Sequence, residues 1–132
     1  MALNPQYEDI ATEFVQQYYG IFDDQENRDK VINFYSATES FMTFEGDKIQ
    51  GAPKILEKVQ SLGFENIRRV INTVDSQPTF DGGVLIKVLG CLQCDDDPVI
   101  GFSQVFVLKV NEPTGSYFIA HDIFRLDIHN SA

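Results

Sequence analysis

Tryptophan is absent from this chain, histidine and cysteine occur twice each, and 10 basic residues stand against 20 acidic ones. The shortage of lysine and arginine leaves a formal charge of -10, which repels phosphate backbones and anionic lipid headgroups. Nucleic acid and membrane surfaces are therefore disfavoured as partners, and a basic protein is favoured. No apolar run approaches the length of about 18 residues that a spanning helix needs, so membrane insertion is not expected. The opening Met1-Ala2-Leu3-Asn4-Pro5 has neither the basic nor the apolar region of a secretory leader, and no Asn-x-Ser/Thr acceptor occurs. A cytosolic or nuclear protein is expected.

The scarcity of metal-ligating residues is equally informative. His121 and His129 have seven residues between them, outside zinc-finger spacing, and Cys91 and Cys94 are the sole cysteines. Their C-x-x-C would suit a redox pair if it opened a helix. It ends the run Val84 to Cys94 instead, which is rich in strand formers. Strand positions three apart face opposite sides, so the two sulfurs diverge and inert buried thiols are expected. No phosphate loop, nucleophile elbow or dinucleotide fingerprint occurs.

What remains is a chain of 132 residues, 43% hydrophobic, sized for one domain over residues 1–132. Eleven Phe and five Tyr make an aromatic-rich core. Tyr7, Ile10, Ala11, Phe14, Val15, Tyr18 and Phe22 recur at helical spacing, with Asn4 as a cap and Pro5 in the first turn. A short second helix is expected over Asn27 to Tyr35. Ser40 to Phe44 and Lys48 to Gln50 flank Glu45-Gly46-Asp47 as a hairpin. A third helix covers Pro53 to Leu62. Four strands follow, Ile67 to Val74, Val84 to Cys94, Ile100 to Val110 and Tyr117 to Ile128, with Ser76-Gln77-Pro78 and Asp81-Gly82-Gly83 among their separators. Helices first and strands after give an α+β fold with a meander of antiparallel strands. Both parities of the third long strand are apolar, Phe102, Phe106 and Leu108 on one and Val105 and Val107 on the other. One face goes under helices, and a second subunit is the simplest cover for the other.

Two clusters carry chemistry. Asp95-Asp96-Asp97 fits three roles: oxygen ligands for a divalent cation, solvated turn charges, or a protein-docking patch. Asp122 beside His121, with Tyr18, Tyr19 or Tyr35, supplies acid and base groups for a pocket enzyme, although neighbours on a strand point apart.

Pro5-x-Tyr-Glu, Phe14-Val-Gln-Gln-Tyr-Tyr19, Phe22-Asp23, Thr43-Phe-Glu-Gly46, Gln50-Gly51, Ile55-x-Glu-Lys58, Ser61-Leu62, Gln77-Pro78, Asp95-Asp-Asp-Pro98, Gly101-Phe-x-Gln-x-Phe106 and Asp122-Ile-Phe-Arg-Leu126 resemble, in order and spacing, the nuclear transport factor 2 family. The resemblance spans nearly the whole chain. It implies a cone-shaped fold of three helices packed on a strongly curved, mostly antiparallel sheet, a homodimer through that sheet, and neither catalysis nor a cofactor. It further implies a carrier that binds the small GTPase Ran in its GDP form and phenylalanine-glycine repeats of nucleoporins, returning Ran to the nucleus. Such a carrier is expected in cytoplasm and nucleus and enriched at the nuclear envelope and pore.

By the same resemblance, a Ran aromatic enters the cavity beside Phe44, and Glu45, Asp95 and Asp97 are rim acids for basic Ran residues. Tyr7 matches an aromatic of the repeat-binding site. Arg69 stands where the family commonly has a cavity-side histidine and is counted with the Ran-binding residues, either competing with Ran for a rim acid or contacting Ran directly. With Ile67 and Ile71 on its face, its guanidinium is expected to fork onto Glu45 or Asp95. The alternative function is a small-molecule isomerase or dehydratase using the cone pocket.

Overall fold

The computed structural model describes residues 3–127. Helix α1 runs Tyr7–Phe22 and buries Ala11, Phe14, Val15, Tyr18, Tyr19 and Phe22, the face its periodicity predicts. Asn4 does not cap the helix itself. Its Oδ1 accepts from the Gln6 N–H at 2.9 Å, in the turn before the helix, and its Nδ2 donates to the Tyr117 hydroxyl. Residues Arg28–Phe34 form a 3₁₀ helix, tighter than an α-helix, and α2 spans Ala52–Ser61 with Ile55 and Val59 buried. A single further 3₁₀ turn covers Phe80–Gly82.

The strands are β1 Phe41–Phe44, β2 Asp47–Gln50, β3 Ile67–Pro78, β4 Val84–Cys94, β5 Ile100–Val110 and β6 Tyr117–Asp127. They make one sheet in the order β2-β1-β6-β5-β4-β3, antiparallel except where β1 runs parallel to β6. The long strands form the expected meander, and the β1–β2 hairpin joins it through the parallel pair. Glu45 and Gly46 both have positive φ, 50° and 90°, as a two-residue primed turn requires. The three helices on this curled sheet form the expected cone.

Two boundaries differ from the sequence expectation. Ser76, Gln77 and Pro78 are not a turn: β3 continues through them, paired with Ile86, Leu85 and Val84. Proline is tolerated because β3 is an edge strand whose other side needs no ladder donor. At the other end of the sheet, Ile128, which the pattern assigns to the last strand, lies outside the described residues, as does His129.

Curvature comes from two irregularities. Asn72 is an extra residue between the pairs Ile71–Gly90 and Thr73–Leu89, and Ala120 is skipped between Val107–His121 and Leu108–Ile119. Each bulge bends its strand and sharpens the local twist, so the sheet wraps round α1. Phe106, fully buried, packs at ring-centroid distances of 4.9 Å from Phe14 and 5.0 Å from Tyr18, closing the narrow end of the cone.

Gly90 permits the first bend. A Cβ there would collide with the Val70 carbonyl oxygen and press on the Phe102 ring. Gly90→Ala is therefore expected to lower stability by about 1–3 kcal/mol, read as a reduced urea midpoint at unchanged secondary-structure content.

Candidate functional site

The wide end of the cone is open. The C-terminal turns of α1 and α2 supply Tyr18, Tyr19, Phe22, Val59 and Leu62, and strand ends supply Met42, Phe44, Ile67, Leu92, Cys94 and Phe124. Together they line a cavity of about 90 Å³ with almost wholly apolar walls, smaller than the pockets that take drug-sized ligands. Phe44 stacks on Phe124 with centroids 4.8 Å apart, so this wall is flat and aromatic.

The sequence-predicted site residues separate into wall, rim and distant groups. Phe44 and Arg69 line the cavity. Glu45 and Asp95 each follow directly on a wall residue, Phe44 and Cys94, and each occupies a turn at positive φ, 50° and 51°. Glu45 is half-buried and accepts from the Leu126 N–H through Oε1. Asp95 accepts from the Glu65 and Asn66 N–H groups, its Oδ1 at 2.9 Å from the latter. Asp97 is exposed, and its N–H donates to the Cys94 carbonyl. Tyr7 is elsewhere, half-buried on the first turn of α1 and packed against the core.

Arg69 does not fork onto Glu45 or Asp95. Its Nε and Nη2 donate to the two carboxylate oxygens of Asp23 at 2.9 and 2.8 Å. The end of α1 crosses the start of β3, which places Asp23 beside Arg69, while both rim acids are engaged by backbone N–H groups. Ile67 shares the cavity with Arg69, but Ile71, next to the Asn72 bulge, is 38% exposed on an outer groove. Ile71 shares a face with Ile67 and Arg69, all three lining that groove, but it lies further along β3, beyond the reach of the cavity.

A chain of buried hydrogen bonds braces the wall. Tyr35 donates to Asp122 Oδ2 at 2.7 Å; since its one proton is so used, Tyr18 donates to Tyr35 at 2.7 Å. From the other side Tyr19 donates to Gln104 Oε1 at 2.7 Å, and Gln104 Nε2 donates to Asp122 Oδ1 at 2.8 Å. Burial pushes the Tyr18, Tyr19 and Tyr35 hydroxyls well above their usual range, so all three are neutral donors.

The proposed His121–Asp122 dyad is not formed. His121 is on the exposed face, stacked on Phe41 at 6.0 Å, while Asp122 is buried on the inner face and does not line the cavity. Cys94 lines the cavity and Cys91 the outer face, both free, as strand parity predicts. Burial raises the Cys94 thiol, which is therefore protonated at neutral pH. Among the described residues no group of three or more ligating side chains could hold a metal ion.

Gln104 and Asp23 stand in the motifs that carry the resemblance, but sequence reasoning gave neither a role, and it did not single out Arg28. Gln104 left a signal: it is the polar residue on the apolar parity of Phe102, Phe106 and Leu108. Arg28 left none. It is buried and donates to the Phe22, Phe64 and Glu65 carbonyls, tying the end of α1 to the loop that carries the wall residue Phe64.

A helical cover on a curled sheet, with an open apolar cavity rimmed by acidic turns, defines a cone-shaped α+β binding protein. The profile of the nuclear transport factor 2 domain matches residues 10–126. A Caenorhabditis elegans protein described as nuclear transport factor 2 is 46% identical, the match covering 99% of this chain and 100% of that one. The nuclear transport factor 2 of Schizosaccharomyces pombe is 39% identical over 92% of this chain and 96% of its own. Among solved structures, nuclear transport factor 2 of Cryptosporidium parvum superposes with a TM-score of 0.88 at 37% identity, covering 96% of this chain and 99% of that one. The chain belongs to the nuclear transport factor 2 family. Its role is in nuclear transport, and like the carriers it resembles it is not an enzyme, although enzymes also use this fold.

Burial lifts the Asp122 carboxyl to about 6, the hydrogen bonds from Gln104 and Tyr35 holding it back. Its folded value thus exceeds the unfolded carboxylate value of about 4, and the folded protein takes up a proton first as pH falls. The stability this contributes is full below about pH 4 and is lost as pH rises through about 6. In Asp122→Asn the titration is removed. The variant is expected to gain about 3 kcal/mol on the parent between pH 4 and 7, measured as the difference in urea unfolding free energy across that range.

Proposed function

We propose that the chain is a homodimeric carrier for Ran in its GDP form. The observation that carries this reading is the aromatic-walled cavity whose wall residues Phe44 and Cys94 are each followed by an acidic turn residue. An aromatic side chain of Ran fits against Phe44 and Phe124, where its burial contributes about 1.5–3 kcal/mol. Glu45, Asp95 and Asp97 meet basic Ran residues, and the charge of -10 steers the encounter. Arg69 acts as wall and not as competitor, because its carboxylate partner is Asp23. Tyr7 contributes to a separate surface for phenylalanine-glycine nucleoporin repeats. A carrier with both surfaces moves between cytoplasm and nucleus and concentrates at the pore and nuclear envelope.

Charge reversal tests the Ran surface. Glu45→Lys also removes the acceptor for the Leu126 N–H, so Asp97→Lys, at an exposed turn, is the cleaner companion. Each is expected to weaken Ran-GDP at least 30-fold, corresponding to about 2 kcal/mol or more, without loss of nucleoporin-repeat binding. Calorimetry with Ran-GDP on both variants decides; unchanged affinity in Asp97→Lys and Glu45→Lys removes the rim assignment. Tyr7→Ala is expected to give the opposite pattern, weak repeat binding with Ran retained.

The dimer rests on the outer face of the sheet. Phe41, Val70, Leu89 and Ile123 are between 41% and 60% exposed there, on four different strands. A lasting subunit interface over this face would bury about 2,000 Å² or more. Sedimentation is expected to give twice the 15.0 kDa chain mass at micromolar concentration, and a 15.0 kDa species would refute the dimer.

A further inference from the structure

The two edges of the sheet differ. At one end β2 is four residues long, whereas β3 at the other runs Ile67–Pro78 and is paired on one side only, to β4. Among the described residues no backbone hydrogen bond reaches its free side. An edge of this length presents unpaired N–H and C=O groups, and proteins ordinarily blunt such an edge with a bulge, a proline or a covering element. The Asn72 bulge and Pro78 protect the far half of β3. The near half, Ile67–Ile71, has neither, and Val70 is 60% and Ile71 38% exposed.

Helix α1 runs beside this near half without covering it. A shallow groove lies between them, lined on the helix side by Tyr19, Gly20, Asp23 and Asp24 and on the strand side by Arg69 and Ile71. Its floor is fixed: Arg69 stacks on the Tyr19 ring, Cζ 4.1 Å from the centroid, and holds Asp23 through two hydrogen bonds. Gly20 has no structural reason to be glycine. Glycine within a helix lowers stability, yet no positive φ requires it here, and a Cβ would meet no atom within 4 Å. The missing side chain leaves room for another backbone to come close.

We propose that this edge and groove take an extended basic segment of a partner protein, which adds to the sheet as a further strand along Ile67–Ile71. The open ladder selects an extended backbone. Charge selects basic side chains on the parity that faces α1, where Asp24 is exposed and the Asp23 side chain is 19% exposed, in a chain of charge -10. The apolar stems of lysine or arginine on that parity cover Ile71. The other parity falls beside Val70, at the margin of the face assigned to the dimer, and suits a β-branched residue. A second copy of this chain is the poorer occupant: on its own helix-facing parity the strand offers a single cation, Arg69, which Asp23 has already taken. The proposal does not rest on the Ran reading.

Synthetic peptides of about nine residues, long enough to span the near half of β3, test it on the purified chain by calorimetry and backbone amide NMR. One alternates lysine and valine, a second has glutamate for lysine, and two more are the first peptide N-methylated at its valines or at its lysines. The lysine–valine peptide is expected to saturate below millimolar concentration and the glutamate peptide to bind at least about tenfold more weakly. Since alternate amides of a strand point to opposite edges, one N-methylated form should keep binding and the other lose it. Shifts should centre on Gly20, Asp24 and Ile67–Ile71, with hydrogen exchange slowed at the outward β3 amides. Gly20→Gln fills the groove without a clash and is expected to weaken the peptide about tenfold at an unchanged or higher urea midpoint, and Asp24→Lys to weaken it similarly. Equal binding of the two N-methylated forms, tightest binding of the glutamate peptide, shifts away from β3, or undiminished binding by both variants would each overturn the proposal. So would slow exchange of the outward β3 amides before peptide is added, which would mark a second copy on the edge, or no saturable binding at millimolar concentration.

Discussion

One buried carboxylate sets the arrangement of the groups around the cavity. Asp122 accepts hydrogen bonds from Tyr35 and Gln104, and these accept in turn from Tyr18 and Tyr19, so both arms of the chain point towards it. Those five side chains come from α1, the end of the 3₁₀ helix, β5 and β6. A carboxylate in so dry a place is tolerated only when its acceptor oxygens are filled. The requirement fixes how α1 is seated on the sheet, since its two adjacent tyrosines must reach different partners. It also fixes the Tyr19 ring, on which Arg69 rests, and through Arg69 the position of Asp23 at the end of α1. The polarity of the cavity floor thus depends on a charge that never touches the cavity.

Much of this architecture is legible in the sequence because it repeats with a period. The three-four spacing of Phe14, Val15, Tyr18 and Phe22 marks one face of α1, and the alternation along residues 100–110 marks the two faces of β5. Turn chemistry is local too, which is why Glu45-Gly46 reads as a hairpin. The failures are tertiary. Nothing near Arg69 in the chain indicates Asp23, 46 residues away, since that pair exists only because α1 crosses β3. Pro78 reads as a break because proline lacks a donor, and only its place on an edge strand makes it compatible with β3. Ile71 keeps the parity of Ile67 and Arg69, and only its distance along β3 puts it outside the cavity. Gln104 was readable and overlooked: a lone amide among phenylalanines on one parity demands a partner.

The two ends of the cone do different work. At the narrow end Phe14 and Phe106 interlock edge to face, Tyr18 reaches from that cluster to the cavity wall, and at the wide end Phe44 and Phe124 stack beside open space. Cohesion of the core is concentrated where nothing binds. The open end is held less by packing than by specific ties: Arg28 on three carbonyls, Asp95 on two N–H groups and Glu45 on another. These ties fix the mouth without filling it.

The placing of Glu45 and Asp95 in tight turns, each one residue beyond the wall, has an evolutionary consequence. Their side chains hold backbone N–H groups of the lip, so an exchange there loosens a tie at the mouth while the aromatic packing of the interior stays in place. The cone can therefore acquire a new clientele through a handful of point changes at its lip, while a shared interior is inherited unaltered by lineages that recognise different molecules.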